Sequence, residues 1–285
     1  MRPAAVVLSV AKTYFTPKTN VMRAATNPLL LFSVLLFGLI ACQKDPVPPP
    51  ETPPAKTVKK VSWSEQDFAT YEYNAAGLLT RHVSQWANGA GSVNRLNSVY
   101  TYNDAGQITR WQNESGHATF VYKDGKLESS DHFLSNGRKL SSMTYGFERG
   151  KLAWVIEHNE LRMPDDVLQT KVSYAYHPNG NVRRIDFAYR HQLAEPFTTN
   201  FSKLFETYDN KPNPEPDGVL GVVLPGVVLH RNNPLKVSTL LPNNTVEATS
   251  RFEYTYNAEG LPQQRKQYNA SGGVEQAPTQ STFHY

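Results

Sequence analysis

Residues 99–111 read VYTYNDAGQITRW, and near copies recur as TYEYNAAGLLTRH at 70–82, SYAYHPNGNVRRI at 173–185 and EYTYNAEGLPQQR at 253–265. In Tyr100-Thr101-Tyr102 the two rings stand at i and i+2, so they share one face of an extended strand. Asn103-Asp104-Ala105-Gly106 then turns the chain. A three-residue loop with glycine in the left-handed position suits a type I turn followed by a G1 bulge, because glycine takes positive φ without a Cβ penalty. With the loop at 104–106, Asn103 should oppose Gln107, Tyr102 oppose Ile108, and Tyr100 oppose Arg110. The same register pairs Tyr73 with Leu79 and Tyr71 with Arg81. It also pairs Tyr176 with Val182, Tyr174 with Arg184, and Tyr256 with Pro262. Proline is the weakest of these partners and signals an edge or a bulge.

Two copies carry shorter turns. FVYKDGKLES at 120–129 turns at Asp124-Gly125, placing Tyr122 opposite Leu127 and Lys123 opposite Lys126. YGFERGKLAW at 145–154 turns at Arg149-Gly150, placing Phe147 opposite Leu152 and Tyr145 opposite Trp154. Turn length changes while the aromatic–aliphatic pair survives. Such pairs contribute about 0.2–1 kcal/mol each and pin register, since a one-residue slip would turn every ring outward.

The opposite face is polar or small: Glu72 and Thr80, Thr101 and Thr109, Ala175 and Arg183, Thr255 and Gln263. Six hairpins and the closing STFHY imply about thirteen or more strands. A sheet that large cannot leave an aromatic face bare. The expected fold is all-β, an antiparallel meander of hairpin repeats forming a large curled sheet or a barrel-like shell.

The Tyr-x-Tyr-Asn/Asp-x-x-Gly-x-Leu/Ile pattern resembles the YD repeat of Rhs-type proteins, whose strands spiral into a hollow β shell. It covers 70–185 and 252–285 in pieces, with Asn, Lys, Glu or His at the usual Asp. It is also similar to surface lipoproteins with degenerate repeats of this kind. The resemblance implies a cell-surface β scaffold and supplies no catalytic residue; the chain is far too short for a toxin-enclosing shell.

Residues 29–41, LLLFSVLLFGLIA, are apolar or small without a charge. That run is too short to span a membrane and suits a signal-peptide core. Leu39-Ile40-Ala41-Cys42 follows and resembles the lipobox of bacterial lipoproteins, which implies cleavage before Cys42 and a lipid on its thiol. Cys42 is the only cysteine, so no disulfide competes for it. The expected organisation is a signal peptide at 1–41, with Met22 as a candidate start. A lipidated proline-rich tether follows at 42–60, extended at about 3.1 Å per residue. A β-repeat domain fills 61–285, with an irregular insertion at about 190–248. Gln43-Lys44-Asp45 resembles the Lys/acid tag of surface-exported lipoproteins; a periplasm-facing anchor is the alternative.

The chain carries 29 Lys and Arg against 25 Asp and Glu, a formal charge of +4. Arg2, Lys12, Lys18 and Arg23 all precede Cys42, and no acid does. Cleavage therefore leaves a balanced mature chain, and nothing supports binding to a phosphate backbone. The expected partners are the membrane, through the lipid on Cys42, and a glycan or envelope protein, with no nucleic acid.

No metal-ligand spacing, phosphate-cradling loop or nucleophile motif occurs among these residues, so neither cofactor nor metal is expected. The insertion offers Tyr208, Asp209, Asn210, Glu215 and Asp217 as a candidate ligand site, or else serves as a proline-rich plug whose apolar part is 219–229. Trp111 and Trp154 fall at adjacent offsets after their glycines, which puts Trp154 in the core and Trp111 outside as a candidate ligand platform. The leading expectation is a non-enzymatic, lipid-anchored binding or scaffolding module. The alternative is an envelope glycoside hydrolase, with carboxylates of 209–217 meeting the Asp165-Asp166 loop in a cleft.

Overall fold

The computed structural model describes residues 57–285 except 89–91, 162–165, 216–217, 220–221 and 225. The signal segment, Cys42, the tether up to residue 56, Asp165 and Asp217 lie outside the described residues.

The first strands are β1 (Lys60–Ser62), β2 (Phe68–Tyr73), β3 (Leu79–Ala87), β4 (Val93–Tyr102), β5 (Ile108–Asn113) and β6 (Gly116–Lys123). They continue as β7 (Lys126–Leu134), β8 (Lys139–Glu148), β9 (Lys151–Asn159), β10 (Gln169–Tyr176), β11 (Val182–Arg190) and β12 (Thr198–Pro212). A separate ribbon, β13 (Gly218–Val219) with β14 (Val222–Val223), interrupts the run. The sheet resumes with β15 (Asn232–Leu240), β16 (Val246–Tyr256), β17 (Pro262–Ser271), β18 (Val274–Glu275) and β19 (Thr279–His284). Each strand pairs antiparallel with the next, and β1 bridges β2 and β19. The result is a closed 16-stranded barrel, with β18 as a short ribbon against β17. Closure leaves no free edge, which resolves the choice between curled sheet and barrel.

The break in the repeat at 190–248 is not a break in the sheet. β12 and β15 are regular barrel strands, and only 213–231 departs from the wall. Sequence pattern marked the region as irregular because β12 and β15 lack the Tyr-x-Tyr-turn signature.

The first aromatic–aliphatic pair of every hairpin has the expected register: Tyr73–Leu79, Tyr102–Ile108, Tyr122–Leu127, Phe147–Leu152, Tyr176–Val182 and Tyr256–Pro262. The second pair is off by one throughout. Tyr71 opposes His82, Tyr100 opposes Trp111, Tyr145 opposes Val155 and Tyr174 opposes Ile185. A bulge lies between the two pairs in each hairpin, at Glu72/Tyr73, Thr101/Tyr102, Gly146/Phe147 and Ala175/Tyr176. The extra residue swaps inward and outward positions on the strand leaving the turn.

The swap reverses the expectation for the tryptophans. Trp111 stands on the inner face, opposite Tyr100 and Ala118, and packs against the core. Trp154 opposes Gly146 outside, where its ring covers the missing side chain: a Cβ on Gly146 would lie 2.0 Å from it.

The turns are built as their residues demand. Gly77, Gly106 and Gly260 have φ of 77°, 74° and 79°. In the two short turns Asp124 and Arg149 share positive φ with the glycine that follows, the combination that a type I′ hairpin requires. Asn74, Asn103 and Asn257 each accept two backbone N–H bonds from their own loops, which explains why Asn opens the turn.

The inner face forms one core, including Ile108, Leu152, Val155, Val172 and Val182, all at 1% exposure or less. The tyrosines add a second bond to this packing. Tyr102 donates its hydroxyl to the Leu79 carbonyl at 2.6 Å, Tyr176 to Leu152 at 2.8 Å, and Tyr208 to Val182 at 2.7 Å. Tyr285 donates likewise to Pro262 at 2.8 Å. In each case the acceptor lies one or two residues past the preceding repeat-end turn, so each of these hydroxyls stitches its hairpin to the one before. At these four positions ring packing alone would be served by phenylalanine, and the hydroxyl favours tyrosine.

Candidate functional site

Because every neighbour is antiparallel, the connections alternate between two ends of the barrel. The repeat turns at 74–78, 103–107, 124–125, 149–150, 177–181 and 257–261 lie at one end, together with 213–231. The chain enters β1 at this end and finishes there at Tyr285. The connections at 160–168, 191–197 and 241–245 lie at the far end.

Segment 213–231 turns into the repeat end of the interior. Leu224 and Leu229 are 2% and 3% exposed and belong to the core. Glu215 Oε2 accepts from Arg265 at 2.6 Å, and Arg265 also reaches Ser281 Oγ at 3.3 Å. Around this ion pair stand Tyr71 and Tyr254, whose hydroxyls are pushed far above the ordinary phenol pKa by burial. Each carries further influence from Glu215 and Arg265. The segment is thus a plug, fixed by aliphatic burial and one inward ion pair.

Each residue singled out from sequence has a definite place. Tyr208 gives its proton to Val182 O, which leaves its oxygen to accept from His230 Nδ1 at 2.8 Å. Asp209 is a staple: its Oδ1 accepts from Lys211 N and Asn233 N, both at 3.0 Å. Its Oδ2 accepts from Asn233 Nδ2 at 3.0 Å and from the Tyr256 hydroxyl. Asn210 is exposed on β12, and Glu215 holds Arg265. Asp209 is therefore engaged in tying β12 to β15 and β16, and Glu215 in holding the plug. Asp166 lies in the connection at the far end, so it shares no groove with them. Among the described residues no group of His, Cys, Asp and Glu could hold a metal ion.

The interior has a second chemistry, which the periodicity did not announce. His132 is 7% exposed on the inner face of β7, with Nε2 at 3.0 Å from Ser130 Oγ, which meets the Tyr145 hydroxyl at 2.9 Å. Burial pulls His132 down to about 4. His230, packed between Phe205 and Tyr208, falls to about 4 by burial and by the charge of Lys203. Burial pushes the Glu157 carboxyl up and the Lys203 ammonium down. Charges inside a β-shell could have been found from sequence only with the bulges placed, since each bulge decides which of two neighbours faces in.

On the outer wall a shallow depression of 430 Å³ is lined by Asn97, Val99, Gln112, Asn113 and Glu114. The wall itself carries Glu72 with Arg81, Arg184 with Asp186, Lys236 with Glu206, and Arg251 with Glu253.

No protein-family model matches the chain, and no curated protein matches it in sequence. Solved structures share its fold. A porin-like protein from Bacteroides uniformis superposes with a TM-score of 0.56 at 16% identity, over 82% of this chain and 99% of that one. A porin-like protein from Bacteroides vulgatus gives 0.50 at 11% identity, over 81% and 99%. A Tc holotoxin pore of Photorhabdus luminescens aligns at a TM-score of 0.20 and 13% identity, over 75% of this chain and 15% of that one.

Proposed function

We propose that the chain is a lipid-anchored cell-envelope barrel that binds or scaffolds a partner and performs no catalysis. The observation that carries this reading is the direction of the side chains. Aromatic and aliphatic residues fill the interior, and ion pairs cover the outside. Barrels that span a bilayer have the opposite polarity, with an apolar band facing lipid. The two solved neighbours are named porin-like, and this chain keeps their barrel while presenting a wall suited to water.

The leader and the lipobox around Cys42 supply the anchor, and the proline-rich stretch after it supplies the tether, which ends before Val58, a buried residue of the barrel. The hairpins are degenerate YD repeats of the Rhs type. Amides and a carboxylate line the depression at Asn97, Gln112 and Glu114; they match sugar hydroxyls and make a glycan the first ligand to test.

The hydrolase alternative loses its cleft, because Asp209 and Glu215 are bonded at the end opposite Asp166. The test is Cys42→Ala in the producing cell. Labelled palmitate should mark the unaltered protein and miss the variant, which should also keep its uncleaved leader and run larger on a gel. Equal label on both proteins, or no label on the unaltered one, would contradict the anchor. Glycan-array and envelope pull-down screens on the anchored protein then test binding, and silence in both would reduce the role to a passive one.

A further inference from the structure

β12 presents Phe201, Lys203 and Phe205 at alternate positions. All three face inward: Phe201 opposes Phe187, Lys203 opposes Ile185 and Thr239, and Phe205 opposes Val237. Ile185, Phe205, Phe187 and Val237 belong to or pack against the core. Lys203 is therefore an ammonium set between two phenyl rings on the inner wall. The Phe187 and Phe201 rings stack at 4.4 Å beside it.

Two features set Lys203 apart from its neighbours. Although it faces inward, its side chain is exposed, whereas Val155 and Val172 on the same surface are at most 1% exposed. The interior at its level thus holds space that solvent reaches. Moreover, among the described residues no hydrogen bond or ion pair reaches its ammonium, while the other inward cation, Arg265, is held by Glu215. Its charge bears on His230, which it helps to keep neutral.

A partly desolvated cation without a partner costs stability, and methionine or leucine would fill the row between two phenylalanines at less cost. Charges retained at such a cost mark sites of function. We propose that Lys203 anchors a binding site inside the barrel for a small aromatic monocarboxylate. The carboxylate pairs with the ammonium in surroundings of low polarity, where a charge-assisted bond is strong. The ring of the ligand packs against Phe187, Phe201 and Phe205, where aromatic contact adds to burial. Leu224, Leu229 and the Glu215–Arg265 pair occupy the repeat end, so the ligand enters from the far end. This site is separate from the outer-wall partner proposed above, and it stands or falls independently of the lipid anchor.

The test is calorimetric titration of the full chain with 1-naphthoate and its uncharged analogue 1-naphthamide. Naphthoate should bind one per chain, at least tenfold tighter than naphthamide. Lys203→Met should weaken naphthoate at least tenfold, leave naphthamide unchanged, and melt no lower than the unaltered protein. Lys203→Arg should retain binding, and Lys266→Gln on the outer wall should change nothing. Equal affinity for the two probes, no binding of either, or full naphthoate affinity in Lys203→Met would each overturn the proposal. The comparison of probes uses the unaltered chain and so remains decisive if a variant fails to fold.

Discussion

Why the repeat specifies tyrosine is answered atom by atom. Ring burial supplies the hydrophobic term, and the hydroxyl closes a bond to the carbonyl beyond the previous repeat-end turn. Tyr102→Phe and Tyr176→Phe keep the ring and lose that bond. Each should lower stability by about 1 kcal/mol in urea denaturation, while Tyr268→Phe on the outer wall should change it less. Gly116 is a sharper case. A Cβ there would stand 1.9 Å from the Phe133 carbonyl oxygen, a backbone atom that cannot rotate aside. Gly116→Ala should cost more than about 2 kcal/mol, read as a lower midpoint in the same titration. The turn glycines and the ring–aliphatic pairs were legible in the sequence, because local conformation dictates both. Trp111 and Trp154 were misplaced because a bulge leaves no mark in the hydrophobic alternation around it. One extra residue on the strand leaving the turn reversed their faces.

Among the elements, the plug and the interior histidines respond most to chemistry. Arg265 is inward and mostly covered, and among the described residues Glu215 is the carboxylate paired with it. Glu215→Gln removes that partner, leaves the guanidinium uncompensated and should cost about 3 kcal/mol. The loss should appear first as faster proteolysis within 213–231. His132 and His230 titrate in the folded state near 4, below the ordinary histidine value of 6.5. Their neutral forms are favoured by folding. The stability they contribute is therefore complete above pH 6.5 and declines as pH falls from 6.5 toward 4. Melting temperatures should fall across that window, and His132→Asn should flatten the decline; an unchanged slope would remove His132 as a cause. A plug was one of two readings of the prolines and apolar run, the other being a ligand site, and of that run Leu224 and Leu229 are buried. The Asp209 and Glu215 bonds were not legible, because their partners Asn233, Tyr256 and Arg265 lie 24 to 50 residues away and nothing local announces them.

At the scale of the molecule, closure follows from β1 and β19. Three residues of β1 join the first hairpin to the last strand, with Val61 fully buried between Ala69 and Phe283. Sequence established a sheet with one aromatic face but could not show that its ends meet, since β1 is too short to carry a pattern. The closed form explains how the chain tolerates so many tyrosines: those of the repeat point inside, while ion pairs such as Glu72 with Arg81 and Arg251 with Glu253 stand outside. The account as a whole rests on that polarity, and the most direct measurement is the behaviour without detergent of the chain from residue 43 onward, made without leader or lipid. It should remain monodisperse in buffer on sedimentation and stay out of floated liposomes. A protein that aggregates until detergent is added, or that floats with lipid while lacking its acyl chains, would contradict an aqueous outer wall.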